Sequence, residues 1–383
     1  RFLQVDRDES HEQLSEEVRL AGGAGALNYV VGAYFLSQSY DLTNHQYGLI
    51  FGGPDAGSTV HAAQDNTAYA GFGQLDYEIV DGLTVTAGLR YSWEKKKFTV
   101  QPLFYPVEQS FSASFDNLSP KIGISYKPNE DLMLYASYTR GFRAGGFNGR
   151  AASFEVVGPY DPETVSSYEA GLKSQLLDGR LTFNLGGFVA NYKDQQVGVQ
   201  EIDPVTLVNQ TLVRNAASSK MQGIELESEL QAGGGFSFSA SVGYLDASFD
   251  KFVADLGDGL GVIDRSNLPL SYAPEWTTGV TANWDGKTAW GDVTAQMSVL
   301  NQSDQYTSFS PTNLLSDFAV RDANTLVNAS LALRTDYGVT FRLWGKNLGD
   351  ETVINNTFAV GALLTARVYQ PPREFGIDLA YEF

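Results

Sequence analysis

Apolar and polar residues alternate with a period of two along most of this chain, the pattern of a β-strand whose two faces meet different surroundings. From Leu83 to Glu94 every odd position is apolar or aromatic, and every even position is Thr, Gly, Arg, Ser or Glu. The alternation recurs at 236–244, 276–284 and 375–383. Such stretches number about fifteen and run for about ten or more residues, the length that a tilted strand needs to cross a bilayer.

The connections between the predicted strands alternate in length. The short ones contain turn-forming pairs such as Asp178-Gly179, Gly233-Gly234 and Asp285-Gly286, which suit tight hairpins because they accept positive φ. The long ones lie near 41–65, 99–114, 145–163, 199–210, 250–272, 303–322 and 348–372. A water-soluble β-protein could show the same alternation along its strands, but the asymmetry between the two ends favours a membrane barrel. The pattern predicts an all-β, transmembrane, antiparallel up-and-down β-barrel.

The acidic residues of the segment 223–230 indicate which face would meet lipid. Glu225, Glu227 and Glu229 share one parity, and most of the other parity is apolar. An acidic side chain turned into lipid costs somewhat less than the ~2 to 4 kcal/mol found for Arg or Lys at the bilayer midplane, but three together would be prohibitive. We therefore expect these carboxylates to face the lumen. The same argument predicts a lumenal position for Arg90, Lys121, Glu169, Lys173, Arg342, Lys346 and Asp378.

Composition excludes several classes of function. The chain has 26 Lys and Arg against 45 Asp and Glu, a formal charge of −19, so we do not expect nucleic acid as a partner. It has no Cys, which removes thiol catalysis, disulfides and Cys-based metal sites. The motifs of phosphate-binding loops and of common hydrolases are absent, so we expect no enzyme and no metal or cofactor site. His11, His45 and His61 are expected to be solvated rather than to bind a metal.

Several segments together resemble the β-barrel of TonB-dependent receptors, which lie in the outer membrane of Gram-negative bacteria. They are YASYTRGFRAGGFNGR at 135–150, the segment 160–194, MQGIELESEL at 221–230, LWGKNLGDETV at 343–353 and PPREFGIDLAYEF at 371–383. The resemblance covers essentially the whole chain, 1–383, as one domain. Complete members of the family have an N-terminal plug and a 22-stranded barrel. The resemblance therefore implies that about fifteen strands of a larger barrel are present, without the plug and the first strands.

The resemblance implies energised import of a scarce, bulky ligand, most often a ferric siderophore and less often cobalamin, haem or an oligosaccharide. The ligand would bind between the extracellular loops and the plug. A group of cationic and aromatic residues could hold an anionic, catechol-like ligand there: Arg140, Arg143, Phe147, Arg150 and Tyr160. The alternative is that this segment is a Gly-rich turn that serves only the scaffold.

Two further sets of residues acquire roles from the resemblance. The lumenal charges would hold the plug, or else line a water-filled pore: Arg90, Glu169, Lys173, Glu225, Glu227, Glu229 and Arg342. The final strand resembles the C-terminal signature by which outer-membrane assembly machinery recognises its substrates: Phe375, Ile377, Leu379, Tyr381 and Phe383.

Two other functions remain open at this point. A general diffusion porin needs no plug and selects solutes by size and lumen charge. A surface-attachment barrel would use its loops to bind protein. For the receptor, the expected location is the outer membrane of a Gram-negative bacterium. Its expected partners are outer-membrane lipid, the TonB complex acting through the plug, the assembly machinery and a small-molecule ligand.

Overall fold

A computed structural model describes residues 4–48, 53–102, 105–207, 209–256, 260–307, 318–360 and 364–382. They are almost entirely β-strand, with one turn of 3₁₀ helix at Phe154–Val156. Among the described residues, no helix is long and apolar enough to cross a membrane. The strands are β1 (Gln4–Ala24), β2 (Leu27–Gly48), β3 (Gly53–Val80), β4 (Leu83–Gln101), β5 (Gln109–Asn129), β6 (Leu132–Arg143), β7 (Glu163–Leu176), β8 (Leu181–Ile202), β9 (Asn209–Gly233), β10 (Phe236–Ala254), β11 (Ile263–Asp264), β12 (Trp276–Thr288), β13 (Gly291–Gln302), β14 (Gln305–Tyr306), β15 (Val320–Arg321), β16 (Asn324–Arg334), β17 (Val339–Lys346), β18 (Ile354–Val360), β19 (Leu364–Tyr369) and β20 (Glu374–Tyr381).

One large antiparallel sheet follows the order of the chain. Its strands pair in the order β1 to β10, then β12, β13, β16, β17 and β20, and β11 adds to β10. The pairs β14–β15 and β18–β19 form two small separate sheets. The prediction of about fifteen antiparallel strands in up-and-down order is confirmed. Within the described ranges no pairing joins β1 to β20, so the sheet is open and has two edges.

Tight turns join the strands at one end of the sheet, which we call the turn end. Gly82, Gly234 and Gly235 adopt positive φ there, as the short hairpins require. The predicted turn at Asp285-Gly286 is wrong, because β12 continues to Thr288 before the chain reverses. The ring of Trp284 covers Gly286, where a Cβ atom would clash with it, so this glycine serves a close approach within the strand.

The opposite end, which we call the loop end, contains more strand than the sequence predicted. β2 runs to Gly48 and β3 begins at Gly53, inside the predicted connection 41–65. The small β14–β15 and β18–β19 sheets lie inside the connections predicted at 303–322 and 348–372. Beyond the bilayer a strand no longer needs apolar residues on either face, so apolar alternation ends before the backbone pairing does.

The pairing of the strands places the apolar residues on one face of the sheet, which we call the outer face. In one row, for example, Leu172, Leu185, Leu226 and Val242 lie side by side on β7 to β10. Many large apolar side chains of this face are exposed, and Ile377 reaches 76%. Rings in contact mark the loop side of the apolar band, and we call them the aromatic girdle: Phe35–Tyr69, Tyr69–Trp93, Tyr138–Tyr168 and Tyr244–Trp276. Contact with lipid is the surrounding that fits such a face.

Buried apolar side chains gather at the loop end rather than within the sheet. One group, which we call the loop core, contains Phe98, Val100, Phe147, Val157 and Leu212. A second group lies around Phe249 and Phe252. A single-layer sheet has no second layer to pack against, so burial is possible only where connections fold over the strand ends. The loop end is therefore an ordered structure that can position side chains.

Candidate functional site

The face opposite the apolar band, which we call the inner face, carries all the residues predicted to line the lumen. Glu225 lies between Gly186 and Gly243, whereas its chain neighbours Ile224 and Leu226 lie in the apolar rows. The same parity holds for the whole predicted set: Arg90, Lys121, Glu169, Lys173, Glu225, Glu227, Glu229, Arg342, Lys346 and Asp378. Their role toward a plug or a pore stays a prediction.

Tyr135 organises one part of the inner face. Its hydroxyl donates to Oε1 of Glu169 at 2.6 Å, and Nζ of Lys173 lies 5.9 Å from the centre of its ring. Glycines on β7 and β8 leave room for the ring, since a Cβ atom at Gly171 would come within 2.8 Å of the Tyr135 hydroxyl. The sequence did not predict a role for Tyr135. The glycines that make room for its ring lie on other strands, and their position opposite Tyr135 depends on the strand register.

Glu225, Glu227 and Glu229 form a row of carboxylates along β9, which we call the acidic ladder. Successive members are separated by two residues, or about 7 Å. Their direct neighbours on β8 and β10 carry no charge: Gly186, Asn184, Thr182, Gly243, Ser241 and Ser239. Lys173 lies one strand further away, beyond Asn184. The adjacent strands therefore leave the negative charge of the ladder available to a partner in the lumen.

The residues predicted to bind ligand do not form one group. Arg140 has the same parity on β6 as Leu134 and Tyr138, which lie on the outer face. Its side chain therefore points away from the lumen. Arg143 has the opposite parity, is exposed, and lies 3.8 Å from the carboxylate of Glu163. The register thus separates Arg140 from Arg143, since their positions in β6 differ by an odd number.

Phe147 belongs to the loop core. Its side chain is 9% exposed, and it stacks on Phe98 with 5.4 Å between ring centroids. Gly145 and Gly146 let the chain pass closely over Tyr160, which forms an isolated β-bridge with Gly146. Arg150 is exposed beyond this turn. Phe147, Gly145 and Gly146 therefore take part in the packing of this connection, and a role of the segment in ligand binding stays a prediction.

Tyr160 and Arg143 remain close to each other at the loop end of the inner face. Burial raises the pKa of Tyr160, while nearby Arg143 lowers it and Glu163 raises it. Tyr40 of β2 interacts electrostatically with Tyr160 and packs against the loop core. Tyr40 was not predicted, because it precedes Tyr160 by more than 100 residues in the chain. We call Tyr40, Arg143 and Tyr160, with Glu163, the vestibule cluster.

A buried polar network, which we call the latch, joins the β6–β7 and β8–β9 connections. Asp203 is 0% exposed and accepts hydrogen bonds from Oγ of Ser153 at 2.7 Å and Nε2 of Gln210 at 2.9 Å. Its other oxygen accepts from the backbone N–H groups of Val205 and Thr206. The sequence 203–206 is typical of a turn, but it does not predict that Ser153 and Gln210 donate hydrogen bonds to Asp203. The latch fixes the connection that carries Tyr160.

The later connections are tied together by a second set of polar contacts. The guanidinium of Arg321 donates to the backbone carbonyls of Ile354 and Asn355 and lies 5.9 Å from the ring of Tyr272. The hydroxyl of Tyr272 donates to Oδ1 of Asn356 at 2.8 Å. Segments from three different connections are thus tied together at the loop end.

The final strand lies at an edge of the sheet. Phe375, Ile377, Leu379 and Tyr381 of β20 occupy the outer face, opposite Gly345, Leu343, Phe341 and Val339 of β17. Phe383 lies outside the described residues. Recognition of this strand by assembly machinery stays a prediction.

His61 contacts two carboxylates instead of being simply solvated. Its Nε2 lies 2.9 Å from Asp41, and its Nδ1 lies 2.8 Å from Glu108. Among the described residues, no group of three or more His, Asp or Glu side chains is arranged to hold a metal ion.

Comparisons with known proteins agree with this geometry. The ferric-pyoverdine BN7/BN8 receptor of Pseudomonas putida is 25% identical over 271 residues, which cover 70% of this chain and 31% of the receptor. The crystal structure of the ferric yersiniabactin uptake receptor FyuA from Yersinia pestis has a TM-score of 0.82 and 17% identity, covering 100% of this chain and 55% of that one. The siderophore receptor PiuA from Acinetobacter baumannii gives a TM-score of 0.78 at 16% identity, covering 98% and 56%.

The matched part of the chain covers 31% of the length of that curated relative, and the chain covers just over half of these solved receptors. The structural likeness establishes the fold, an antiparallel sheet of the kind found in these receptor barrels. The family model described as "TonB dependent receptor-like, beta-barrel" matches residues 4–348. The chain belongs to the TonB-dependent receptor β-barrel family.

Proposed function

We propose that this chain forms part of the barrel wall and the extracellular surface of an outer-membrane receptor that imports a ferric siderophore. Uptake would depend on the TonB complex, acting through a plug supplied by another part of the protein. The observation that carries the proposal is the family match over 4–348. The names of similar proteins, receptors for ferric pyoverdine and ferric yersiniabactin, support a ferric siderophore as the ligand class.

The vestibule cluster is the part of the described surface that best fits such a ligand. Arg143 is exposed and cationic, and its pairing at 3.8 Å with Glu163, whose side chain is only 15% exposed, is loose. A catecholate or carboxylate oxygen could replace Glu163 as the acceptor and make a shorter, charge-assisted hydrogen bond. Tyr40 and Tyr160 supply aromatic surface on the same side. Phe147 would act indirectly, by holding the connection from within the loop core.

Uptake of radiolabelled iron by the full-length receptor tests the proposal. The receptor would be expressed in a Gram-negative strain that lacks its own siderophore receptors, with catecholate, hydroxamate and carboxylate ferric complexes offered in turn. We expect one class to be accumulated, and we expect deletion of tonB to abolish accumulation. Accumulation that persists without TonB would instead indicate a diffusion pore.

The Arg143→Ala variant of the same receptor tests the vestibule cluster. Loss of a hydrogen bond to a charged group is expected to weaken ligand binding about 10-fold or more. Arg180→Ala, which removes an exposed Arg from the turn end, is the matched control. Binding to cells at low temperature, where transport stops, is the measurement. Unchanged affinity in Arg143→Ala would remove the vestibule cluster from the ligand site without affecting the uptake proposal.

A further inference from the structure

The inner face of β10, β12, β13 and β16 contains a broad surface without charged residues. The register aligns these strands in rows, one of which contains Ser239, Thr281, Ser298 and Asn328. The inward residues are all Ser, Thr, Asn, Gln, Gly or Leu along four aligned stretches: 237–243, 277–283, 296–302 and 324–330. With about 4.8 Å between strands and about 3.3 Å per residue, this surface measures roughly 14 by 20 Å. We call it the neutral sector.

Charged residues lie on both sides of the neutral sector. On β9 the acidic ladder lies directly beside it, since Glu227 pairs with Ser241 of β10. On β17, the strand that pairs with β16, the inward charges are cationic and belong to Arg342 and Lys346. The inner face therefore changes from acidic to neutral to cationic between β9 and β17.

Several polar side chains of the neutral sector bond to one another. Nε2 of Gln296 donates to Oδ1 of Asn283 at 2.9 Å, and Nδ2 of Asn328 donates to Oγ of Ser298 at 3.4 Å. Side chains paired in this way need no partner from a plug. A plug would be held here by neutral hydrogen bonds, which are about half as strong as the charge-assisted bonds available at the acidic ladder. Among the described strands, a plug would therefore separate from the neutral sector most easily.

The charge of the inner face also affects an anionic ligand. Ferric complexes of catecholate and carboxylate siderophores carry negative charge, because their iron ligands are anionic oxygens. The carboxylates of the acidic ladder would repel such a complex, and the repulsion is strong where little water separates the charges. The neutral sector exerts no such repulsion, and its hydroxyl and amide groups can donate hydrogen bonds to the oxygens of the complex.

A hollow of about 220 Å³ lies within the neutral sector. Gly279 lines it, and a Cβ atom there would come within 2.8 Å of Oγ of Ser241 and 3.4 Å of Leu300. Leu300 is 47% exposed although it lies on the polar inner face, and it pairs with Leu326 of β16. The hollow is smaller than the ~300 to 1,000 Å³ of sites that hold a whole drug-sized ligand. It therefore suits one ring of a larger ligand in passage.

We infer that the neutral sector is the wall along which an anionic ferric complex crosses the lumen, once the plug separates from β10 to β16. This inference rests on the proposed function. The acidic ladder would keep the plug on the side of β9 and direct the complex away from that strand. The hydroxyls of Ser241 and Thr281 would donate hydrogen bonds to the passing complex, and Leu300 and Leu326 would contact its rings.

Thiol labelling of the full-length receptor in cells tests the inference. The chain contains no cysteine, so Ser241→Cys and Thr281→Cys each place a single thiol in the neutral sector. Cells importing a radiolabelled ferric catecholate or ferric carboxylate complex are treated with a bulky, uncharged maleimide, and uptake is measured after the excess is removed. We expect both thiols to be labelled while TonB is active. Uptake should then be lost in the labelled receptors, whereas ligand binding at low temperature should persist.

Ser119→Cys on β5 and Ser137→Cys on β6 are the matched controls, because both are small inner-face residues outside the neutral sector. The wild type treated with the same reagent corrects for cysteines elsewhere in the receptor. Maleimide treatment should leave uptake unchanged in all three. Equal loss of uptake in the Ser119 and Ser137 variants would overturn the inference. So would thiols at positions 241 and 281 that stay unlabelled during uptake, or that are labelled without loss of uptake.

Added negative charge tests the electrostatic part of the inference. The double variant Ser241→Asp and Thr281→Asp should import the anionic complex about 10-fold more slowly than the wild type, with unchanged binding at low temperature. Ser241→Asn and Thr281→Asn, which have the shape of the Asp variant without its charge, should import at nearly the wild-type rate. Unchanged uptake in the Asp variant, or a wild type that accumulates only a neutral ferric hydroxamate, would overturn the inference. A wild type without TonB-dependent uptake of any ferric complex would instead overturn the proposed function, and the inference with it.

Discussion

Asp203 illustrates what a single buried carboxylate contributes to the loop end. Burial acts to raise the pKa of its carboxyl, but hydrogen bonds from Thr206, Ser153 and Val205 outweigh burial and lower the pKa to about 2. The unfolded chain would titrate near the ordinary value of 3.8. Since the folded pKa is lower, the stabilisation is present above about pH 4 and is lost as the pH falls from 4 toward 2.

The variant Asp203→Asn tests this account of the latch. It keeps the shape but replaces an acceptor carboxylate by an amide that accepts at only one atom, so the connection should be destabilised locally by about 1 to 3 kcal/mol. Hydrogen exchange of the backbone amides at 152–157 and 203–207 is the measurement. Protection should fall in the variant at neutral pH and should change little between pH 4 and 2. Asp336→Asn, at an exposed turn, is the control; equal effects in the two variants would contradict a specific role for Asp203.

His61 provides a second pH-dependent contact, with the opposite sign. It lies on the part of β3 that extends beyond Tyr69 of the aromatic girdle, outside the membrane-spanning segment. The hydrogen bond to Asp41 raises its pKa above the ordinary 6.5, burial opposes this, and Glu108 adds to the increase. Because the folded pKa is raised, the contribution is complete below about pH 6.5 and is lost as the pH rises through the folded value.

We therefore expect the contact between β2, β3 and the start of β5 to loosen as the pH rises through the raised pKa of His61. Amide exchange near Asp41 and Glu108 should accelerate as the pH rises, after correction for the intrinsic rate. His61→Gln should remove that dependence, whereas His45→Gln should retain it. A pH profile that is the same in His61→Gln and the wild type would show that the imidazole does not hold these strands together.

At the scale of elements, the 144–162 connection depends on a close approach at Gly145. A Cβ atom there would meet the backbone carbonyl of Tyr160 and the ring of Phe115. At Gly149, in the same connection, the nearest atoms would be 3.5 Å and more away, an ordinary contact. The two glycines therefore form a matched pair for substitution.

Gly145→Ala is expected to destabilise the connection by about 1 to 3 kcal/mol, the usual cost of overpacking. Gly149→Ala should change stability little. Limited proteolysis of the connection in the full-length receptor measures the difference, and ligand affinity should fall with the loss of order near Tyr160. If both variants are cut at the wild-type rate, the close approach at Gly145 does not hold the connection.

The membrane part of the elements was predictable because two physical requirements coincide there. Lipid demands apolar residues on one face and the strand period puts them at every second position, so Leu83 to Glu94 can be assigned directly. Outside the membrane only the backbone pairing remains, and the loop-end halves of β2 and β3 were therefore expected as connections. The turn predicted at Asp285-Gly286 was wrong because glycine occurs both in turns and at close approaches within strands. Here Gly286 makes room for the ring of Trp284.

At the scale of the whole molecule, the sequence predicted which residues lie on the inner face. It did not predict which of them contact one another. The cost of acidic groups in lipid fixed the side on which Glu225 would lie. The meeting of Tyr135, Glu169 and Lys173 depends on the register between strands, which alternation within one strand does not specify. Arg140 was grouped with Arg143 because they are close in sequence, yet parity places them on opposite faces.

The acidic ladder is the inner-face feature whose role extends beyond this chain. Glu225, Glu227 and Glu229 have uncharged neighbours on both adjacent strands, so β8 and β10 do not offset their mutual repulsion. A plug that presents cations or N–H donors to the ladder would relieve this repulsion and be held by it. We expect the triple variant Glu225→Gln, Glu227→Gln and Glu229→Gln to loosen the plug in the full-length receptor. Hydrogen exchange of the plug amides is the measurement, and protection should fall mainly on the plug surface that faces β9.

A charge-matched control separates this effect from a change in net charge. Asp81→Asn, Glu130→Gln and Asp336→Asn remove three negative charges at the turn end, away from the ladder. They should leave plug protection unchanged. If the ladder variant also leaves it unchanged, the ladder does not hold the plug, and lining a water-filled passage becomes the better account of its carboxylates. That outcome would be accompanied by altered cation conductance once the plug is displaced, because three carboxylates along one strand attract cations to the wall of the lumen.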